Sequence, residues 1–160
     1  MATLSIRKTE SISTEIERMN DRIGRRAYDI FTGSGGALDK DLDNWLAAEK
    51  ELMWKPSIEL REKDKEFLID IAVPGMDAKD LNIEVTAEDL LVKGEVRHEH
   101  KEQKGTIHTC EFHSANLFRT VHFPKRIDPD KVKAEFKNGI LHVRASIERQ
   151  RAKAAKAGAA

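Results

Sequence analysis

Six histidines and a single cysteine are the residues of this 160-residue chain best suited to holding a metal. His98 and His100 flank Glu99 in the charged stretch HEHKEQK (98–104). His108 and Cys110, two positions apart, share one face of a strand running through residues 106–112. Imidazole and thiolate are ordinary zinc ligands, but a structural zinc site wants four of them converging. With no second pair at a recognisable spacing, neither a specific metal site nor a cofactor is expected. Cys110 reads better as a small core or interface residue than as a redox centre.

Nucleophilic and phosphate chemistry are weaker still. Serine, histidine and aspartate are present, but no Gly-x-Ser-x-Gly elbow or His-Glu-x-x-His helix arranges them. The glycine-rich TGSGG (32–36) lacks the Gly-Lys-Ser/Thr ending of a phosphate loop and follows a helical pattern, not a strand. The chain is therefore not expected to be an enzyme. Lys+Arg and Asp+Glu both number 28, so no net field draws it to nucleic acid or an anionic membrane. Residues 1–10 lack the apolar core of a secretory signal, and no apolar run reaches ~18 residues. One cysteine fits a reducing compartment, so a cytoplasmic protein is expected.

Two kinds of element must position these side chains. In residues 11–31, Ile12, Ile16, Met19, Ile23, Ala27 and Ile30 recur in steps of three and four, which predicts an amphipathic helix capped by Ser11 or Ser13. A second helix is predicted over 39–53, with Leu42, Trp45, Leu46 and Leu52 on its apolar side, and Pro56 stops it. Two short helices bury little of their own apolar surface. Ile12, Ile16, Met19, Ile23, Phe31, Leu42, Trp45, Leu46 and Leu52 are therefore expected to contact other subunits or partners, in preference to an internally packed hairpin.

Beyond Pro56 the period falls to two. Eight alternating runs, in residues 57–60, 67–73, 81–86, 90–96, 106–112, 117–123, 132–136 and 140–147, predict an antiparallel, immunoglobulin-like β-sandwich. Asn138-Gly139 lies between two of these runs and predicts a tight primed turn. Arg119 shares strand parity with Leu117, Val121 and Phe123, and a charge on the buried side demands a partner. The chain divides into a helical arm (1–53), the sandwich (54–147) and a polar tail (148–160).

The stretch LFRTVHFPKRIDPDKVKAEFKNGILHV (117–143) resembles the small heat-shock proteins and their α-crystallin domain. Phe118, Arg119, Phe123, Pro124, Ile127 and Asp128 match its motifs, as does the hairpin signature Ala134, Asn138, Gly139, Ile140, Leu141 and Val143. WKPSIEL (54–60) and IDIAVPGMDAKDLNIEV (69–85) extend the likeness upstream. RRAYDIF and DLDNWLAAEKEL (25–31 and 41–52) show a weaker likeness to a short bacterial helical domain of unknown function, and that likeness implies a bacterial source.

The family resemblance implies an ATP-independent holdase that binds unfolding client proteins. It also implies a homodimer in which strand 106–112, with Thr106, Ile107, His108, Thr109 and Cys110, pairs with the partner's sheet. Arg119 becomes a dimer-interface arginine facing an acidic residue, and a higher homo-oligomer is left open. The alternative is a co-chaperone-like adaptor that uses the same sandwich to bind one folded partner. The family usually ends in an Ile-x-Ile/Val motif that docks on a neighbouring dimer. Here Ile147 is the last Ile or Val before an alanine-rich, charged end. Assembly beyond the dimer is therefore expected to rest on the arm.

Overall fold

The fold changes where the period changes. In the computed structural model, which describes residues 2–98, 100, 104–112 and 114–149, two helices precede most of the strands. Strands β1 (Ala2–Leu4) and β2 (Ile6–Lys8) open the chain, followed by α1 (Ser13–Gly33), α2 (Asp41–Leu52) and a short β3 (Met53–Trp54). Then come β4 (Ile58–Lys63), β5 (Glu66–Ala72), β6 (Leu81–Val85) and β7 (Asp89–Val96). The last three are β8 (Ala115–His122), β9 (Ile127–Lys137) and β10 (Ile140–Ile147). They form two five-stranded sheets, ordered β1-β9-β10-β5-β4 and β2-β6-β7-β8-β3, which pack as a β-sandwich. No described helix is long and apolar enough to cross a membrane.

Alternation decides which side chains fill the space between the sheets. In β5, Phe67, Ile69 and Ile71 are fully buried while Leu68, Asp70 and Ala72 are only partly covered. The same parity sends Leu90 and Val92 of β7, Leu117 and Val121 of β8, and Leu141 and Val143 of β10 into one aliphatic core. Phe67 stacks on Phe123 at 5.5 Å between ring centroids. Burial of one such side chain contributes ~1.5–3 kcal/mol, so this core dominates the stability.

The turns set the register. Asn138 and Gly139 take φ of 51° and 77°, and Lys137 pairs with Ile140, the primed two-residue turn predicted for β9 and β10. The Val73 amide donates to the Gly139 carbonyl at 2.8 Å, tying this hairpin to the Pro74-Gly75 turn. The β4–β5 hairpin uses Asp64 and Lys65 at φ of 52° and 66°, a turn of the same sense without glycine. Gly94 of β7 matters for another reason. A Cβ there would lie 2.5 Å from the Asp80 carbonyl oxygen and 2.8 Å from the Met76 methyl. Only glycine lets the 3-10 turn Ala78–Asp80 close over this strand.

Residues 2–8 depart from the expected division, since they pair with the sandwich instead of the helical arm. β1 runs antiparallel to β9 and β2 runs parallel to β6, so the chain crosses from one sheet to the other at Ser5. Leu4 and Ile6 pack against the core, and Lys8 forms an ion pair with Asp130 that holds its ammonium protonated above the usual range. A second departure concerns the predicted strand 106–112. Its described residues are irregular and exposed, and among the described residues no strand pairs with them. Residues 150–160 of the predicted tail lie outside the described residues.

Two substitutions test these turns in opposite directions. Gly94→Ala should lower stability by about 1–3 kcal/mol, because the clash is with backbone. Lys65→Gly should raise it by roughly 1 kcal/mol, because glycine removes the left-handed strain. Urea unfolding midpoints for the two variants and the parent chain check both signs.

Candidate functional site

The helical arm is an internally packed hairpin. Met19 and Ile23 of α1 and Ala48 of α2 are buried together, with Ala27, Ile30, Trp45, Leu52 and Met53 packed around them. Phe118, on the outward side of β8, completes the cluster and seats the hairpin on the sandwich. Arg26 Nε donates to both oxygens of Glu51 at 3.0 Å, clamping α1 to α2. Lys93 of β7 bridges Glu15 of α1 and Glu84 of β6, each at 3.1 Å.

Most of the proposed contact residues are therefore already engaged within the chain, which corrects the sequence expectation. Ile12, Met19 and Ile23 are buried, and Ile16, Phe31, Trp45 and Leu52 are partly covered. Leu42 and Leu46 are the two that remain open, one helical turn apart on the outer face of α2 and 69% and 51% exposed. Tyr28 and Leu38 join them as exposed large side chains of the hairpin, at 64% and 76%. Neither was singled out from the sequence. Tyr28 lies off the apolar stripe of α1, and Leu38 sits in the linker, where periodicity carries no signal.

The sheets present a second kind of surface. β4 ends one sheet and has β5 on one side only. At the edge of the other sheet, β3 pairs with β8 only at Asn116 and Leu117. Arg119 lies beyond that pairing, opposite Val92, on the core-facing side that parity predicted. Its Nε is buried and lacks a hydrogen-bond partner among the described residues. A guanidinium N–H in that position costs about 1–3 kcal/mol or more until an acceptor reaches it.

The loop between β7 and β8 brings together groups that the sequence kept apart. His98 Nε2 lies 3.2 Å from His100 Nε2 and 3.4 Å from Cys110 Sγ. Cys110 thus meets His98 and not His108, since residues 106–112 do not extend as the strand that would align 108 with 110. It is exposed, which excludes the core alternative expected for it and leaves the interface one. On the same segment Ile107 and Phe112 are exposed, and the Phe112 ring lies 5.0 Å from that of His98. Thr106, His108 and Thr109 are exposed as well.

The hairpin signature serves architecture. Ala134 and Leu141 are fully buried, Ile140 pairs with both Lys137 and Ala72, and Asn138-Gly139 makes the turn. No reactive group accompanies them among the described residues.

Relatives place this arrangement. Small heat shock protein C2 of Rickettsia felis is 29% identical over 97 residues, covering 61% of this chain and 62% of that protein. Heat shock protein 16 of Schizosaccharomyces pombe is 31% identical over 90 residues, covering 55% of this chain and 63% of that protein. The chain thus spans less than two thirds of the length of these curated relatives. The solved structure of heat shock protein 16.0 from Schizosaccharomyces pombe superposes with a TM-score of 0.55 at 28% identity, covering 61% of this chain and 90% of that one. The model of the Hsp20/alpha crystallin family matches residues 59–157. That match takes in every strand from β4 onward and leaves out the helical hairpin, and it makes this chain a member of the Hsp20/alpha crystallin family, the small heat-shock proteins.

Proposed function

We propose that this chain is an ATP-independent holdase that captures unfolding proteins by their exposed apolar segments. The observation that carries this reading is the set of large apolar side chains left open on the hairpin: Tyr28, Leu38, Leu42 and Leu46. Burying what these four still expose supplies roughly 4–8 kcal/mol, since each is only partly open and full burial is worth ~1.5–3 kcal/mol. Association itself costs ~4–15 kcal/mol. Capture by one subunit is therefore weak, reversible and indifferent to client sequence, and it gains strength only when several subunits engage one client. No step requires nucleotide. A free, exposed Cys110 favours a reducing, cytoplasmic setting.

The open edges of β4 and β8 support a dimer. Strand exchange would lay residues 106–112 along the partner's β4, satisfying the backbone of both and covering Ile107 and Phe112. An acidic side chain of the partner would then reach the buried Arg119 Nε. Assembly beyond the dimer rests on the outer face of the hairpin.

Light scattering of several unrelated heated clients tests the holdase, with and without ATP and magnesium. Broad suppression unchanged by nucleotide is expected, whereas protection of a single partner would identify an adaptor instead. Replacing Leu42 and Leu46 together with serine should reduce both client protection and oligomer mass while leaving the melting temperature within a few degrees. Ile23→Ser should unfold the hairpin instead, at a cost of several kcal/mol. Removing residues 150–160 should leave oligomer mass unchanged. Arg119→Ala should weaken the dimer by roughly 3–5 kcal/mol, because it strands the partner's acid. Size exclusion with light scattering reads this as a shift toward monomer on dilution, and an unshifted mass would show that Arg119 does not join subunits.

A further inference from the structure

His98, His100 and Cys110 make up a group of metal-ligating side chains that the chaperone reading leaves without a role. Their donor atoms all lie within 4.8 Å of one another. Two of the separations are informative. A tetrahedral zinc with Zn–N of ~2.0–2.1 Å and Zn–S of ~2.3 Å sets its nitrogens about 3.3–3.4 Å apart and nitrogen and sulfur about 3.5–3.6 Å apart. The observed spacings are 3.2 Å between the two Nε2 atoms and 3.4 Å from Cys110 Sγ to His98 Nε2. Both fall within about 0.2 Å of these donor–donor spacings, and the third pair, His100 with Cys110, lies within 4.8 Å.

Hydrogen bonding satisfies this cluster poorly. The His98 Nε2 carries either one N–H or one in-plane lone pair, so it bonds one neighbour well and not both. A cation at the centre would take a lone pair from all three donors at once. We propose that His98, His100 and Cys110 form a binding site for a borderline divalent transition metal, zinc above all, with a fourth position open to water or to a donor from another chain. One thiolate and two imidazoles favour zinc or cobalt, while magnesium and calcium want oxygen ligands. On binding, the Cys110 thiol gives its proton to solvent and its sulfur lone pair to the metal, with no change of oxidation state.

The consequence for assembly rests on the strand-exchange reading above, whereas the metal site itself does not. Metal bound here holds Cys110 beside its own His98, so residues 106–112 cannot extend along a partner's β4. Metal capture then opposes dimer formation.

The full-length chain, stripped with chelator and kept under a non-thiol reductant, is titrated with zinc chloride by calorimetry and with cobalt chloride by absorption. One metal per chain and a thiolate-to-cobalt absorption band are expected. Cys110→Ser and His98→Asn should each weaken binding by at least roughly tenfold, and Cys110→Ser should abolish the thiolate band. His108→Asn, on the same loop but outside the cluster, should change neither. Cys110 and His108 are exposed and His98 is half-buried, all three outside the described strands and the sandwich core, so these variants keep the sandwich intact. No stoichiometric metal at micromolar zinc, equal competition by magnesium, or equal loss in His108→Asn would overturn the site. Light scattering of the same samples reads the coupling separately. A zinc-dependent fall in dimer supports it, and an unchanged mass with zinc bound refutes the coupling while leaving the site standing.

Discussion

A strand at the margin of a sheet leaves one row of backbone N–H and C=O groups unpaired, and two packed sheets have four such margins. In this chain the first residues deal with two of them. β1 pairs with β9 over Ala134–Phe136 and β2 with β6 over Ile83–Val85, with only Ser5 between, so one segment caps part of each sheet on the same side of the sandwich. The opposite side stays open: β4 has a neighbour on one side only, and β3 covers β8 for just two residues. The buried Nε of Arg119 lies at the same open side. The full-length edge of β4 and the unpartnered Arg119 Nε lie on the same flank, which gives the dimer proposal its direction.

The helical hairpin follows a similar division between what is satisfied and what is left over. Its inner stripe is consumed by Ala48, Trp45 and Phe118, and ion pairs through Glu15 and Glu51 fix it to the sheet and to itself. What remains for other molecules is a smaller outer face around Leu42 and Leu46. An arm built this way can offer apolar surface without unfolding, because the cluster that stabilises it is distinct from the face it presents.

Much of the sandwich was legible because half-buried strands write their burial into a period of two. Phe67, Ile69 and Ile71 or Leu117 and Val121 announce both element and orientation. Asn138-Gly139 was equally plain, since its backbone demands leave few other residues. Asp64-Lys65 makes the same turn without glycine, so nothing in its residue types marks it. β1 and β2 were not legible for a different reason: three residues carry too little alternation, and the strands they cover lie far along the chain. The stripe of α2 was centred wrongly because Leu42 and Leu46 outweigh Ala48 in apolarity, yet the small residue is the one that lets α1 come close. The approach of Cys110 to His98 depended on residues 106–112 not being a strand within the chain. That is set by the lack of a neighbouring edge, not by local preference.

The open flank is the part of this account on which function turns, and backbone amide exchange measures it most directly. At a concentration where chains associate, the amides of residues 106–112 should exchange as slowly as those of β4, and both should quicken together on dilution. Exchange of 106–112 at the rate of unstructured peptide, with β4 indifferent to concentration, would contradict the claim that a second copy completes this edge.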